Sequence, residues 1–318
     1  TDAIAKAVAA LHAAETIVTM GHIGPDGDAL GSMLAVAAGA RNAGKQAYAT
    51  FGEPFVVGKQ FRFLDSSLLT SPRDVPENLD VAVVVDTGVP HRLGSALPIA
   101  QRAETLIVVD HHLSQADGFG DIKVVDTGAA AAAEIVYELL VQADWAITAE
   151  IATALYTGIV TDTGRFQYEA TSPTVHHITA HLLEAGVKPS AVGQSIYEEA
   201  PFGYLHVAGA VLSRAMLDTE RKIVWSVLLR EDLAAEDLRY EDADGLIDLI
   251  RIADESDVAC LLREIGDDHY KGSLRSRGRV DVSAVAAGFG GGGHHNAAGF
   301  VAKGAPETII GSILEAIS

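Results

Sequence analysis

Three short runs of mostly β-branched residues stop at a histidine or an aspartate: TIVTMGH (16–22), VAVVVDTG (81–88) and TLIVVDHH (105–112). None alternates apolar with polar residues. Each therefore reads as a strand buried on both faces, the habit of parallel sheets. Helical stretches follow the first and the last of them, over 28–42 and over 128–140, the latter containing AAAAAEIVYELL. Strand–helix alternation predicts an open α/β sheet, in which ligands collect at the carboxyl ends of strands. The polar residues of this chain stand at those ends.

The first such end is the most crowded. GHIGPDGDALGS (21–32) carries His22, Asp26 and Asp28 on a turn rich in glycine and proline. Taken alone, PDGD reads equally as an ordinary turn with Asp28 as a helix N-cap. The weight comes from the set to which these residues belong. A further helical stretch over 148–160 leads into TDTGRFQY and presents Asp162, and Ser172-Pro173 reads as the N-cap and first turn of a helix reaching about residue 185. The pattern breaks at AGVKPS (185–190), so a first domain is expected over 1–187, a linker over 188–202 and a smaller α/β domain over 203–318. In the second domain, strand-like runs at 222–228, 257–265 and 270–276 are expected to alternate with helices.

Composition narrows the class. At 318 residues and 48% hydrophobic, with a mean hydropathy of +0.21, the chain has room for two domains and a large core. No apolar stretch approaches the ~20 residues of a membrane span, and the first helix-like stretch carries Asp2, Lys6 and Glu15 with no cleavage signal, so neither a membrane partner nor a secretory leader is expected. The single cysteine, Cys260, suits a reducing cytoplasm and reads as a small core residue. A net charge of −20 argues against coating long nucleic acids, which requires basic residues to neutralise phosphates. An excess of aspartate suits hard cations instead.

The end-of-element set is His22, Asp26, Asp28, Asp86, Asp110, His111, His112 and Asp162. Five carboxylates brought to one sheet edge would repel one another strongly unless cations lay among them. Aspartate oxygen and histidine nitrogen without thiolate suit Mn²⁺, and secondarily Mg²⁺, Co²⁺ or Zn²⁺. So many ligands exceed the needs of one ion and fit a pair, which can clamp the attacking and leaving oxygens of a phosphoryl displacement. Asp126 repeats the Asp-Thr-Gly pattern, but the alanine run after it offers no partner chemistry, so it stands outside the set.

GHIGPDGDALGS, VVVDTG, VVDHH and IVTDTGRF resemble, in order, the four motifs of the DHH phosphoesterase superfamily. The resemblance implies a two-ion site. His22, Asp26 and Asp86 would hold one Mn²⁺, and Asp28, Asp86, His111 and Asp162 the other, with Asp86 bridging. It further implies that His112 is the non-ligand histidine near the scissile phosphate and that Asp110 orients a histidine. Both count as catalytic residues on this resemblance.

The second domain concentrates scarce positive charge. Lys271, Arg275, Arg277 and Arg279 fall within nine residues of a chain with only 23 basic residues. Arg275 and Arg277 are expected to share one face of a strand. Gly291, Gly292 and Gly293 can bring backbone N–H groups close to an anion, and His294 follows them. A glycine-rich turn and a solvated strand edge are the plain alternatives. GGGGHHNAAG resembles the signature of the DHHA1 substrate-binding domain, with His294 in the signature position. The implied architecture is an N-terminal parallel-sheet DHH domain followed by a DHHA1 domain, with the active site in the interdomain cleft.

The match is nearest to the short two-domain nano-RNase and pAp-phosphatase members. That implies hydrolysis of short oligonucleotides, linear dinucleotides such as pApA, and pAp, by water activated between two metal ions. Phe166 and Tyr168 are candidate base platforms, with core packing the equal alternative. A manganese-dependent pyrophosphatase, a single-strand exonuclease and a non-catalytic nucleotide sensor remain as rival readings, and a homodimer is left open.

Overall fold

The computed structural model describes residues 2–113 and 117–317. It divides into two compact units, one ending at Glu199 and one beginning at Ala200.

The first unit runs α1 (Asp2–Ala13), β1 (Thr16–Met20), α2 (Gly27–Asn42), β2 (Gln46–Thr50), β3 (Val81–Val85), α3 (Leu97–Arg102), β4 (Thr105–Asp110), β5 (Ile122–Val125), α4 (Ala132–Gln142), α5 (Ala149–Asp162), α6 (Pro173–Glu184) and α7 (Pro189–Gly193). Its sheet is parallel throughout, in the order β2-β1-β3-β4-β5. The strands lack alternation because both faces are covered. Ile17, Val83, Val85, Ile107 and Val109 enter a core shared with α2, α4 and α5. Their neighbours Val18, Met20, Ala82, Val84 and Val108 enter a second core with Leu93 and Ile99.

In the strand order 2-1-3-4-5 the direction of crossover reverses between β1 and β3, and that reversal opens a crevice at their carboxyl ends. Helix α2 starts beside this crevice. Residues 27–40 of α2 are all buried, mostly small or apolar side chains with Asp28 and Ser32 as the polar exceptions. Asp26 is its N-cap and accepts N–H bonds from Asp28 and Ala29, both at 3.1 Å. Asp28, readable from sequence as the cap, sits instead within the first turn. Ser172 caps α6 by accepting the N–H of Val175 at 3.2 Å.

The second unit runs α8 (Gly203–Ser213), β6 (Met216–Asp218), β7 (Ile223–Leu228), α9 (Arg230–Ala235), α10 (Leu246–Ile250), β8 (Val258–Gly266), β9 (His269–Ser276), α11 (Val282–Ala287), β10 (Gly292–His294), β11 (Ala297–Lys303) and α12 (Pro306–Ala316). Its mixed sheet has the order β10-β11-β9-β8-β7-β6, with only β7 and β8 parallel. The expected alternation of strand and helix fails between β8 and β9, which form an antiparallel hairpin. Cys260 is fully buried in the core of this unit, where loss of water pushes its thiol up to about 12.

The stretch 188–202, expected as a linker, is helical as far as Glu198. Val192 is buried in the first core and the Tyr197 hydroxyl donates to the Val160 carbonyl at 3.3 Å, so these residues are anchored in the first unit. Among the described residues, no helix is long and apolar enough to cross a membrane.

Candidate metal centre

His22 follows β1 and Asp86 follows β3, so the pair flanks the crevice where the crossover reverses. Asp86 occupies left-handed backbone at φ 58°, a conformation that aspartate tolerates better than most side chains. Its two carboxylate oxygens face different histidines: Oδ2 lies 3.4 Å from His22 Nε2, and Oδ1 lies 3.4 Å from His111 Nε2. On one side, His22 Nε2 stands 3.7 Å from Asp26 Oδ2. On the other, His111 Nε2 stands 3.4 Å from Asp162 Oδ2 and 3.8 Å from Asp28 Oδ2. The six side chains predicted as metal ligands thus form two donor groups joined through Asp86, and each group draws its atoms within 4.8 Å of one another.

The histidines are aimed by backbone carbonyls. His22 Nδ1 donates to Ile23 O at 2.9 Å, and His111 Nδ1 donates to Ala129 O at 3.3 Å. Fixing the proton on Nδ1 leaves Nε2 as the donor atom for a cation. His112 Nδ1 donates to Asp110 Oδ1 at 2.7 Å. That same oxygen accepts the backbone N–H groups of His111 and His112, at 2.9 and 3.2 Å, so buried Asp110 fixes both the loop and the His112 ring.

Asp28 is fully buried and holds three hydrogen bonds: from Ser32 Oγ at 3.2 Å, Ala133 N at 2.9 Å and Ala132 N at 2.6 Å. The alanine run that offered nothing as side chains therefore contributes through its backbone. Its N–H groups are the first of helix α4, where unpaired donors and the helix dipole favour a carboxylate. Asp126, left outside the set, forms a local turn by accepting Gly128 N at 2.9 Å.

These donors fit divalent cations. Buried His22 Nε2 and Asp86 Oδ1 make no hydrogen bond, which is costly unless an ion satisfies them. The acidic and imidazole donor atoms stand 3.4–3.8 Å apart. These spacings are near the ligand–ligand separations set by metal bonds of about 2.0–2.3 Å.

The electrostatics agree. Burial alone would lower the His22 imidazole, but Asp26 and Asp86 outweigh it and raise it to about 10. His111, buried likewise, is raised to about 9 by Asp86 and Asp28. Asp28 is pushed up to about 7 by desolvation and the charge of Asp86. Asp162 is raised by loss of water and by the carboxylates of Asp28, Asp26 and Asp86. Burial would raise Asp86 too, yet the two imidazoles hold it well below the usual carboxylate range.

In metal-stripped protein, protons on the imidazoles therefore stand where cations would. At neutral pH both His22 and His111 must lose a proton to bind a metal ion, so cation affinity should fall as pH falls. The slope should approach tenfold per pH unit for each proton displaced, below pH 9. Calorimetric titration with Mn²⁺ at pH 6.5 and 8.0 checks this; equal affinity at the two pH values would contradict it.

The remaining predicted residues lie in the second unit. Arg275 is on β9, half-buried, with Nη1 donating to Leu274 O at 3.1 Å and a buried Nε that makes no hydrogen bond. Arg277 lies just beyond β9, and its Nη2 donates to the carbonyls of Arg251 and Ala253, at 3.3 and 3.0 Å. Both arginines line one concavity with Arg251, Ser256 and Asp257. Arg251 is a member that sequence reasoning missed, because it lies some 25 residues upstream on a different element.

The glycine run passes from a turn at Gly290 into a strand. Gly292–His294 is the edge strand β10. A side chain at Gly291 would meet Gly299 O at 2.2 Å and one at Gly293 would meet Ala297 O at 2.4 Å, so close packing against β11 accounts for those two. Gly292 faces open space. Phe166 packs on Tyr156 and His176 against the first core, and the Tyr168 ring lies against Gly164.

Residues 16–159 match the DHH family, N-terminal domain, and residues 221–318 match the DHHA1 domain. The bifunctional oligoribonuclease and PAP phosphatase NrnA of Thermus thermophilus is 36% identical over 289 residues, which span 89% of this chain and 83% of the relative. Among solved structures, an exopolyphosphatase-related protein from Bacteroides fragilis superposes with a TM-score of 0.89 at 25% identity, covering 99% of this chain and 95% of its own. RecJ of Thermus thermophilus in complex with Mn²⁺ shares the fold with a TM-score of 0.58 at 13% identity, covering 99% of this chain and 54% of RecJ. The chain belongs to the DHH family, with a DHHA1 domain in its second unit, and it is a phosphohydrolase.

Proposed function

We propose that this phosphohydrolase cleaves very short oligonucleotides and linear dinucleotides to mononucleotides, and pAp to AMP, using two divalent cations of which Mn²⁺ is the preferred candidate. The observation that carries the reading is the pair of donor groups, His22, Asp26 and Asp86 on one side and Asp28, His111 and Asp162 on the other, linked where Asp86 faces both His22 and His111. Bound there, two cations would supply the charge that lowers the pKa of water and stabilises a phosphoryl group during in-line displacement. His22, Asp26 and Asp86 would hold one ion; Asp28, Asp86, His111 and Asp162 would hold the other.

His112 does the remaining proton work. Asp110 fixes its proton on Nδ1, which leaves Nε2 to donate to or accept from a phosphoryl oxygen or leaving group. The DHHA1 unit supplies the phosphate-holding groups, Arg275 first, because its buried Nε is a charged donor without a protein acceptor. Arg277, Gly292 and His294 assist it. The arginines form one local cluster, whereas tracking a long strand takes an extended basic groove with stacked aromatics.

Incubating purified protein and Mn²⁺ with pApA, pAp, a 24-mer and pyrophosphate tests the substrate class. The reading expects turnover of pApA and pAp, with the 24-mer and pyrophosphate slow. Rapid pyrophosphate turnover with untouched pApA would replace it with a pyrophosphatase. Arg275→Ala is expected to raise KM for pApA by roughly 10–100-fold, the loss of one charge-assisted contact of ~1.5–3 kcal/mol, with kcat little changed. Steady-state kinetics reads this directly, and an unchanged KM counts against the arginine.

A further inference from the structure

The alanine run at 129–133 touches two members of one ligand group, His111 and Asp28. The Ala129 carbonyl accepts from His111 Nδ1 at 3.3 Å, and the Ala132 and Ala133 N–H groups donate to Asp28 at 2.6 and 2.9 Å. Whatever fixes this stretch therefore fixes two ligands together. Ala131, the N-cap of α4, has no side chain that can cap. The stretch is held instead by half-buried Glu134, whose Oε2 accepts the Ala130 N–H at 2.8 Å.

The Ala129 carbonyl and the Ala130 N–H are the two ends of one planar peptide unit. Glu134 grips one end and His111 is gripped by the other. If that plane turned, the carbonyl would leave Nδ1, and the tautomer that frees Nε2 would no longer be enforced. An ordinary capping box would join the third helical residue to the N-cap itself. Here the bond reaches one residue further back, to the peptide that faces the histidine.

We propose that Glu134 is a positioning residue for the metal centre, acting through the Ala129–Ala130 peptide on His111 and through the following amides on Asp28. This rests on the reading that His111 and Asp28 hold a divalent cation. The test is calorimetric titration of Mn²⁺ into metal-stripped wild type, Glu134→Ala, Glu134→Asp and Glu134→Gln, with thermal unfolding of the same stripped proteins.

Loss of an outer contact to a metal-binding histidine typically costs 10–100-fold in metal affinity. Glu134→Ala is expected to weaken one of two Mn²⁺ sites by about that factor. Glu134→Asp keeps the charge but is one methylene short, so it should fall with the alanine variant. Glu134→Gln keeps an acceptor oxygen at the same reach and should restore most of the affinity. A Glu134→Ala protein that melts earlier but binds Mn²⁺ like wild type would show a helix cap only and overturn the proposal. If the alanine variant does not fold, the other two decide: Glu134→Asp at wild-type affinity, or Glu134→Gln as weak as Glu134→Asp, overturns it equally. Wild type that binds no Mn²⁺ would remove the metal reading itself, and this inference with it.

Discussion

Asp86→Ala is expected to abolish phosphohydrolysis, with turnover falling by more than roughly 1,000-fold, and to cost the protein its ability to retain two cations. The reason is the position of this one carboxylate. Asp86 Oδ2 lies 3.4 Å from His22 Nε2 and Oδ1 lies 3.4 Å from His111 Nε2, so each oxygen belongs to a different donor group. Among the described ion pairs, no other predicted ligand approaches both His22 and His111. Removing Asp86 also removes the negative charge between two imidazoles that burial would otherwise discharge, so His22 and His111 should titrate lower in the variant. Asp86→Asn separates shape from charge: it fills the same space, and it too should lose activity. Activity assays and metal analysis of both variants check this, and full activity in either would discard the bridging role.

Gly31→Ala is expected to lower the stability of the first unit. A Cβ on Gly31 would lie 2.2 Å from the Ala154 carbonyl oxygen and 3.3 Å from Gly158 N. Both are backbone atoms of α5, so no rotamer change can relieve the clash and the two helices must move apart. Overpacking of this kind costs roughly 1–3 kcal/mol, occasionally more. The helix-propensity gain of alanine over glycine returns only about 1 kcal/mol. Because the obstacle is backbone, the cost falls toward the upper end of that range, and a net loss of up to about 2 kcal/mol corresponds to a Tm drop of up to roughly 4–8 °C. Asp26 and Asp28 start α2 while Asp162 ends α5, so the same separation should weaken metal binding. Gly209→Ala on α8 is the control: nothing lies within 4 Å of its Cβ, so that variant should match or exceed wild-type Tm. Calorimetry of both variants decides between them, and a Gly31→Ala protein as stable as wild type would contradict the close helix contact.

Much of the site was legible in the sequence because its ligands are side chains at the ends of continuous apolar runs. β1, β3 and β4 could be found by their lack of alternation, and their ends carry His22, Asp86 and His111. The strand order was not legible. Apolar runs record that a strand is buried on both faces, and they say nothing about which neighbour pairs with it. The partners of Asp28 were hidden for another reason. They are the N–H groups of Ala132 and Ala133, and a backbone donor leaves no mark in the residue type that carries it. In the second unit, glycines at 290–293 suggested a phosphate loop, while Gly291 and Gly293 are required by the close approach of β11. A need for the smallest residue looks the same in sequence whether the visitor is an anion or a strand. The stretch 188–202 misled similarly: Pro189 follows a break, but it opens α7 rather than a linker.

The central claim is that two cations lie on either side of Asp86, and anomalous diffraction from crystals soaked in Mn²⁺ tests it most directly. Two manganese peaks are expected, one contacting His22, Asp26 and Asp86, the other contacting Asp28, Asp86, His111 and Asp162. Crystals with no peak beside Asp86, at a Mn²⁺ concentration that supports turnover, would contradict the account.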